Sequence, residues 1–186
     1  TSDLLIPLRL DDAGFSAAAI GGVFSVSAVV FVLASALTSR RADHWARQLP
    51  AFEKEFAAGT SARWVLLAPG PEPEVVGTCN FTQIARGPFR ACVLGYQVAR
   101  RHEGRGLMRE ALEATLDHAF HELRLHRVMA NYRPENARSA NLLARLGFVR
   151  EGYARDYLFI DGAWRDHVLT ALRNPNWPAG QAPPAC

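Results

Sequence analysis

An apolar run, Cys92-Val93-Leu94-Gly95-Tyr96-Gln97-Val98, gives way to Arg101-His102-Glu103-Gly104-Arg105-Gly106, and an apolar-periodic run extends from Leu107 to Leu123. The first run has the composition of a strand. In the last, Leu107, Ala111, Leu112, Leu116, Ala119, Phe120 and Leu123 fall on one helical face. A strand that ends in Arg-x-x-Gly-x-Gly and becomes a helix is suited to holding a pyrophosphate. Glycine lets the backbone come close to an anion, and the first helical turn directs unpaired N–H groups at it. The same pattern also fits an ordinary strand-to-helix turn, so the choice between the two depends on residues further along the chain.

Asn131-Tyr132-Arg133-Pro134-Glu135-Asn136-Ala137-Arg138-Ser139 comes next, then Ala140 to Leu146 and Gly147-Phe148. An Arg-x-x-Gly-x-Gly loop followed by Asn-x-x-Ser and a short helix ending in Leu-Gly-Phe resembles the GNAT superfamily of acetyl-coenzyme A-dependent N-acetyltransferases. His126 to Tyr132, Asp156-Tyr157-Leu158 and Asp161 to Leu172 are similar to its branch of ribosomal-protein-alanine N-acetyltransferases, the RimJ type. The resemblance covers roughly Arg63 to Pro178.

Hydrophobic residues make up 49% of the 186-residue chain and charged ones 21%, as in an ordinary globular protein. The length predicts a single domain over 1–178, with 179–186 as a flexible Pro/Ala tail. A formal net charge of +3 suits an anionic ligand. No basic block or basic–aromatic pattern accompanies it, so no nucleic-acid contact is expected. Cys79, Cys92 and Cys186 are odd in number and form no ligand cluster. Neither a disulfide framework nor a metal is expected, and a reducing cytoplasm is the expected setting. Cys79 and Cys92 read as small core hydrophobes.

Leu4 to Leu10 reads as a strand. Ala13 to Ser39 contains no charged residue, long enough to raise the question of a membrane span. Its many Gly, Ser and Ala residues favour a buried or interface helix instead, and acidic rather than basic residues precede it, unlike a signal peptide. A segment diverged from its relatives is the third reading. Asp43 to Ala58 has helical spacing, closed by Gly59. Arg63 to Ala68 reads as a strand, and Val75 to Ile84 pairs with Ala91 to Val98 as a hairpin. Val128 to Tyr132 is a strand, Asn136 to Leu146 a helix with Asn136 as N-cap, and Val149 to Ile160 with Ala163 to Leu172 a hairpin about Asp161-Gly162. The order predicts an α/β (α+β) chain. The resemblance implies a GNAT fold: a mixed sheet of about seven strands, splayed at the cofactor site, with about four helices.

The resemblance further implies that Tyr96, Gln97 and Val98 pair through their backbone with the pantetheine amides. It implies that Arg101, His102, Glu103, Gly104, Arg105, Gly106 and Leu107 hold the pyrophosphate, and that Asn131, Asn136 and Ser139 contact the arm. Asn136 has a second reading as a helix cap, and Ser139 a second reading as a first-turn residue bonded to the backbone. Ser139 or Tyr132 is the candidate acid for the leaving thiolate. Asp156, or else Glu110, is the candidate base. His102, His126 and His167 show no acid–base spacing. Trp164-Arg165-Asp166-His167 either shapes the acceptor mouth or packs across the hairpin. A Gly-x-Ser-x-Gly elbow and a P-loop lysine are both missing from the chain.

The implied activity is direct acetyl transfer from acetyl-coenzyme A to a primary amine, foremost the N-terminal alanine of a ribosomal protein. A small-molecule amine, or coenzyme A binding with little turnover in ribosome maturation, are the alternatives. The chain is expected off the membrane, as monomer or homodimer.

Overall fold

The computed structural model describes residues 23–25, 42–68 and 74–178. Along the chain come β1 (Val23–Ser25), α1 (Ala42–Ala57), β2 (Ala62–Ala68), β3 (Glu74–Ala85), β4 (Ala91–Val98), a 3-10 turn (Arg100–His102), α2 (Leu107–His121), β5 (Arg127–Tyr132), α3 (Ala137–Arg145), β6 (Val149–Ile160) and β7 (Ala163–Arg173). The strands are hydrogen-bonded in the order β1-β2-β3-β4-β5-β7-β6. A mixed α+β chain with a seven-stranded sheet is therefore present. Three helices of eight residues or more lie among the described residues, against the four expected.

Two compact units are distinguished. One takes the chain up to Thr82 together with Gly95–Ala114; the other takes Gln83–Leu94 and everything from Thr115. In the first unit, β1 runs antiparallel to β2 (Val23↔Leu66, Ser25↔Trp64), and β2 antiparallel to β3 (Ala62↔Phe81, Ala68↔Glu74). The helix expected across Ala13 to Ser39 fails at Val23–Ser25, which is extended because its backbone completes a ladder with β2. The rest of that segment, Leu4 to Leu10 and the tail at 179–186 lie outside the described residues. The first unit's core is aromatic, with Trp64 and Phe81 fully buried and meeting edge to face at 5.0 Å. Arg63 ties α1 to β2, stacking over Phe52 at 3.9 Å and pairing with Glu55 at 2.8 Å. Gly59, at φ +66°, ends α1 as the sequence predicts.

In the second unit, β4 pairs with β5 in parallel from Ala91↔Arg127 to Val93↔Met129, β5 runs antiparallel to β7, and β7 antiparallel to β6. Leu125, Val128, Ala130, Leu143, Phe148, Val168 and Ala171 form its buried core. The β6–β7 hairpin closes through Asp161 (φ +51°) and Gly162 (φ +76°) between the paired Ile160 and Ala163. That is the two-residue turn with both φ positive that an Asp-Gly pair favours. Helix α2 stops at His121, two residues short of the expected Leu123. The Leu123 N–H still bonds the His118 carbonyl (3.0 Å), but Arg124 turns left-handed at φ +49° and ends the helix.

Among the described residues no helix is long and apolar enough to cross a membrane. Cys79 and Cys92 are core residues, as their composition suggested. Cys186 lies outside the described residues.

Candidate functional site

Toward its end, β4 leaves the core. Cys92 and Leu94 are buried, Tyr96 and Val98 half-buried, and Gln97 exposed. The described pairing of β4 with β5 runs from Ala91 to Val93. On the other side of β4, Gly77 lies so close that a Cβ added to it would stand 2.6 Å from the Gln97 carbonyl oxygen. The Ala99 N–H bonds the Val76 carbonyl (2.8 Å), which fixes where the strand stops.

The chain then turns. His102 N–H bonds Ala99 O (2.8 Å), and Glu103 N–H bonds Arg100 O (3.2 Å). Gly104 and Gly106 come next at φ +75° and +83°, with no atom within 4 Å of the position a Cβ would take. The left-handed backbone favours glycine at both, and both face open space. Helix α2 begins directly afterwards, its first bond running from Glu110 N–H to Gly106 O (3.1 Å). The N–H groups of its first turn have no acceptor within the helix. Arg100, Arg101 and Arg105 lie in the chain around this point. Loss of hydration and the charges of Arg101 and Arg105 hold the His102 imidazole below its ordinary pKa. The loop is therefore an electropositive, open-backed helix start, which suits an anion. Within the same turn, burial and then the neighbouring Glu113 raise the Glu110 carboxyl above its ordinary value.

The second unit holds the other candidates. Asn131 lies near the end of β5. Its Nδ2 donates to Tyr157 Oη (3.1 Å), and its Oδ1 accepts from the Thr170 N–H (3.4 Å). Tyr132, the last residue of β5, is half-buried. Asn136 caps α3, its Oδ1 accepting the Ser139 N–H at 3.1 Å, so its capping role is direct and its Nδ2 is left for another acceptor. Ser139 is half-buried on the first turn.

Asp156 lies in a bulge. Pairing passes from Ala154↔His167 to Leu158↔Arg165, so Arg155, Asp156 and Tyr157 together oppose Asp166 alone. Asp156 takes φ +46°. Its N–H donates to Asp166 Oδ1 (2.9 Å), and Tyr153 Oη donates to Asp166 Oδ2 (2.6 Å). These two bonds hold the Asp166 carboxyl below its ordinary pKa. Tyr157 packs on His167 at 5.3 Å, and Phe159 meets Trp164 across the strands at 5.6 Å. The Trp164 to His167 segment thus takes part in cross-strand packing. His126 sits at the other end of β5, edge-on to Trp177 at 5.3 Å, with its N–H bonded to Arg90 O (2.7 Å). Nothing in the sequence pattern singles out Tyr153 or gives Asp166 a role of its own. A bulge leaves no mark in the apolar–polar alternation, so no spacing rule connects these residues to Asp156.

Burial pushes the Cys79 and Cys92 thiols up to about 12, so neither is a nucleophile near neutral pH. Among the described residues no group of three or more His, Cys, Asp or Glu side chains is gathered in a way that could hold a metal.

Comparison with known proteins gives these features a family. The model of the acetyltransferase (GNAT) domain matches residues 4–149. The [ribosomal protein uS5]-alanine N-acetyltransferase of Escherichia coli is 51% identical over 127 residues, 68% of this chain and 66% of that protein. The match thus spans just under two thirds of that relative's own length. Probable N-acetyltransferase YjcK of Bacillus subtilis is 40% identical over 56% of this chain and 58% of its own. The crystal structure of ribosomal-protein-S5-alanine acetyltransferase from Vibrio fischeri superposes with a TM-score of 0.74 at 32% identity, covering 84% of this chain and 94% of that one. Mycobacterium smegmatis RimJ in complex with CoA-disulfide gives 0.72 at 29%, covering 87% and 84%. With a strand–glycine-loop–helix junction, a capped Asn-x-x-Ser helix and a family match over most of its length, the chain belongs to the GNAT acetyltransferases.

Proposed function

We propose that this protein transfers an acetyl group from acetyl-coenzyme A to the N-terminal α-amine of a protein beginning with alanine, a ribosomal protein as for its uS5-acetylating relatives. The observation that carries the reading is the loop at Gly104 and Gly106. Its two left-handed glycines have open space before them, and it stands at the N-terminus of α2 among arginines. This chemistry fits the diphosphate of coenzyme A.

In this reading, residues Arg101 to Leu107 bind the diphosphate through backbone N–H groups and positive charge. The backbone of Tyr96, Gln97 and Val98 pairs with the pantetheine amides, as an added strand would. Asn131, Asn136 and Ser139 contact the arm. Coenzyme A supplies the activated acetyl thioester. The amine attacks the thioester carbon directly, and among the described residues the two buried thiols, Cys79 and Cys92, offer no relay for the acyl group. An α-amine titrates near about 8, so a modest base suffices to free its lone pair, and Asp156 takes that role. Ser139 or Tyr132 supplies a proton to the departing thiolate. Backbone N–H groups near Val98 stabilise the developing oxyanion, and much of the acceleration comes from holding amine and thioester together.

The test is acetyl transfer to two peptides that differ only in a free or blocked N-terminal alanine, monitored by release of coenzyme A thiol. Modification of the free peptide alone is expected. Coenzyme A binding without transfer to any α-amine would overturn the acceptor half of the reading.

A further inference from the structure

The β6 bulge resembles the rest of the hairpin in sequence but not in how it is held. Where Arg155, Asp156 and Tyr157 oppose a single β7 residue, the main-chain ladder is interrupted. The side chain of that residue, Asp166, bridges the gap. One carboxylate oxygen receives the Asp156 N–H and the other the Tyr153 hydroxyl. Both bonds are charge-assisted, and such bonds are stronger than neutral ones. Asp156 is thereby held at φ +46°, a left-handed conformation uncommon for a non-glycine residue but tolerated by aspartate. The next residue, Tyr157, is fixed on both sides. Its ring lies on the buried His167, and its oxygen accepts from Asn131. A tyrosine oxygen that accepts in this way keeps its own O–H available to donate elsewhere.

We propose that Asp166 is a positioning residue for the acceptor amine: its carboxylate shapes the β6 bulge, and the bulge sets the direction of the Asp156 carboxylate and the Tyr157 hydroxyl. The inference rests on the acetyl-transfer reading, and it adds the part of the chain that orients the amine. Asp166 touches neither substrate. It acts through the Asp156 backbone and the Tyr153 ring, so its loss misdirects the acceptor and leaves the coenzyme loop, in the other unit, as it was.

The experiment compares the full chain with Asp166→Ala, Asp166→Asn and Tyr153→Phe. It measures kcat and KM for an alanine-starting peptide, KM for acetyl-coenzyme A, and the Kd of coenzyme A by calorimetry. Asp166→Ala is expected to lower peptide kcat/KM between about tenfold and a hundredfold, the scale of a small misplacement of reacting groups. Asp166→Asn keeps an oxygen for the Asp156 N–H and is expected to lose less. Tyr153→Phe removes one bond and is expected to lose less than Asp166→Ala. The Kd of coenzyme A is expected to stay within about twofold in all three. An active wild type with unchanged peptide kinetics in Asp166→Ala overturns the proposal alone. So does a loss of coenzyme A affinity that matches the loss of peptide kcat/KM, since that describes general damage. If Asp166→Ala does not fold, Asp166→Asn and Tyr153→Phe decide by the same criteria. A wild type that transfers acetyl to no amine overturns the underlying reading, and this one with it.

Discussion

Gly77 shows how one missing atom can set the path of a neighbouring strand. A Cβ there would come within 2.6 Å of the Gln97 carbonyl oxygen, a backbone atom that cannot swing aside. Gly77→Ala should therefore push the end of β4 outward, in the stretch assigned to pantetheine pairing. Calorimetry should show coenzyme A binding several-fold weaker, with a stability loss of about 1–3 kcal/mol, typical of overpacking. Unchanged affinity would mean that Gln97 has no part in holding the cofactor. Nothing in the sequence marks Gly77, because its constraint comes from a strand further along the chain. Gly104 and Gly106 were legible because their spacing is itself the motif. Asn136 had two readings in the sequence, a helix cap and a contact with the pantetheine arm, and the structure describes the cap.

At the scale of elements, local chemistry was read well and tertiary adjustments were not. The β6–β7 turn announces itself as Asp161-Gly162, and the structure has both residues left-handed. Gly162→Ala is expected to cost about 1 kcal/mol and to lower the thermal midpoint without altering coenzyme A affinity. The bulge a few residues earlier has no such signature, because extra residues inserted into a strand keep its composition. Helix α2 carries a second consequence. Burial lowers the His118 imidazole pKa, with Glu122 and Asp117 opposing the shift. The folded state therefore favours neutral His118, whereas the unfolded chain protonates it near about 6.5. Stability from this group is present above that pH and declines as the pH falls below it, levelling off under the folded-state value. Thermal midpoints at about pH 7.5 and about pH 5.5, either side of that value, should converge for His118→Gln relative to wild type. An equal acid-induced drop in both proteins would count against this account.

Across the whole molecule, the family and the mixed sheet were legible because the loop, the capped helix and the closing hairpin succeed one another in one order. The uncharged Ala13 to Ser39 segment was not, since low polarity fits a helix and a strand alike; Val23–Ser25 resolves as strand only through its pairing with β2. The charge of the molecule also supports a prediction. A net +3 is modest, but arginines flank the loop, and they help to hold the His102 imidazole down. A bound diphosphate should reverse that field and raise the His102 pKa, an effect observable as a shift in its ring NMR titration when coenzyme A is added. Raised salt should weaken coenzyme A binding at the same time. A His102 titration indifferent to coenzyme A would place the diphosphate elsewhere.

The β6 bulges also bear on how the protein behaves in a crowded solution. β6 is the last strand of the sheet, and its neighbourhood exposes Val149, Phe159 and Trp164 at 60% or more. A straight outer strand with such residues would invite chains to stack edge to edge into aggregates. Two register breaks, between Arg150 and Gly152 and between Ala154 and Leu158, spoil the flat template. The charges of Arg150, Glu151, Arg155 and Asp156 lie along the same stretch. The irregularity proposed to aim Asp156 thus also makes β6 a poorer template for edge-to-edge pairing.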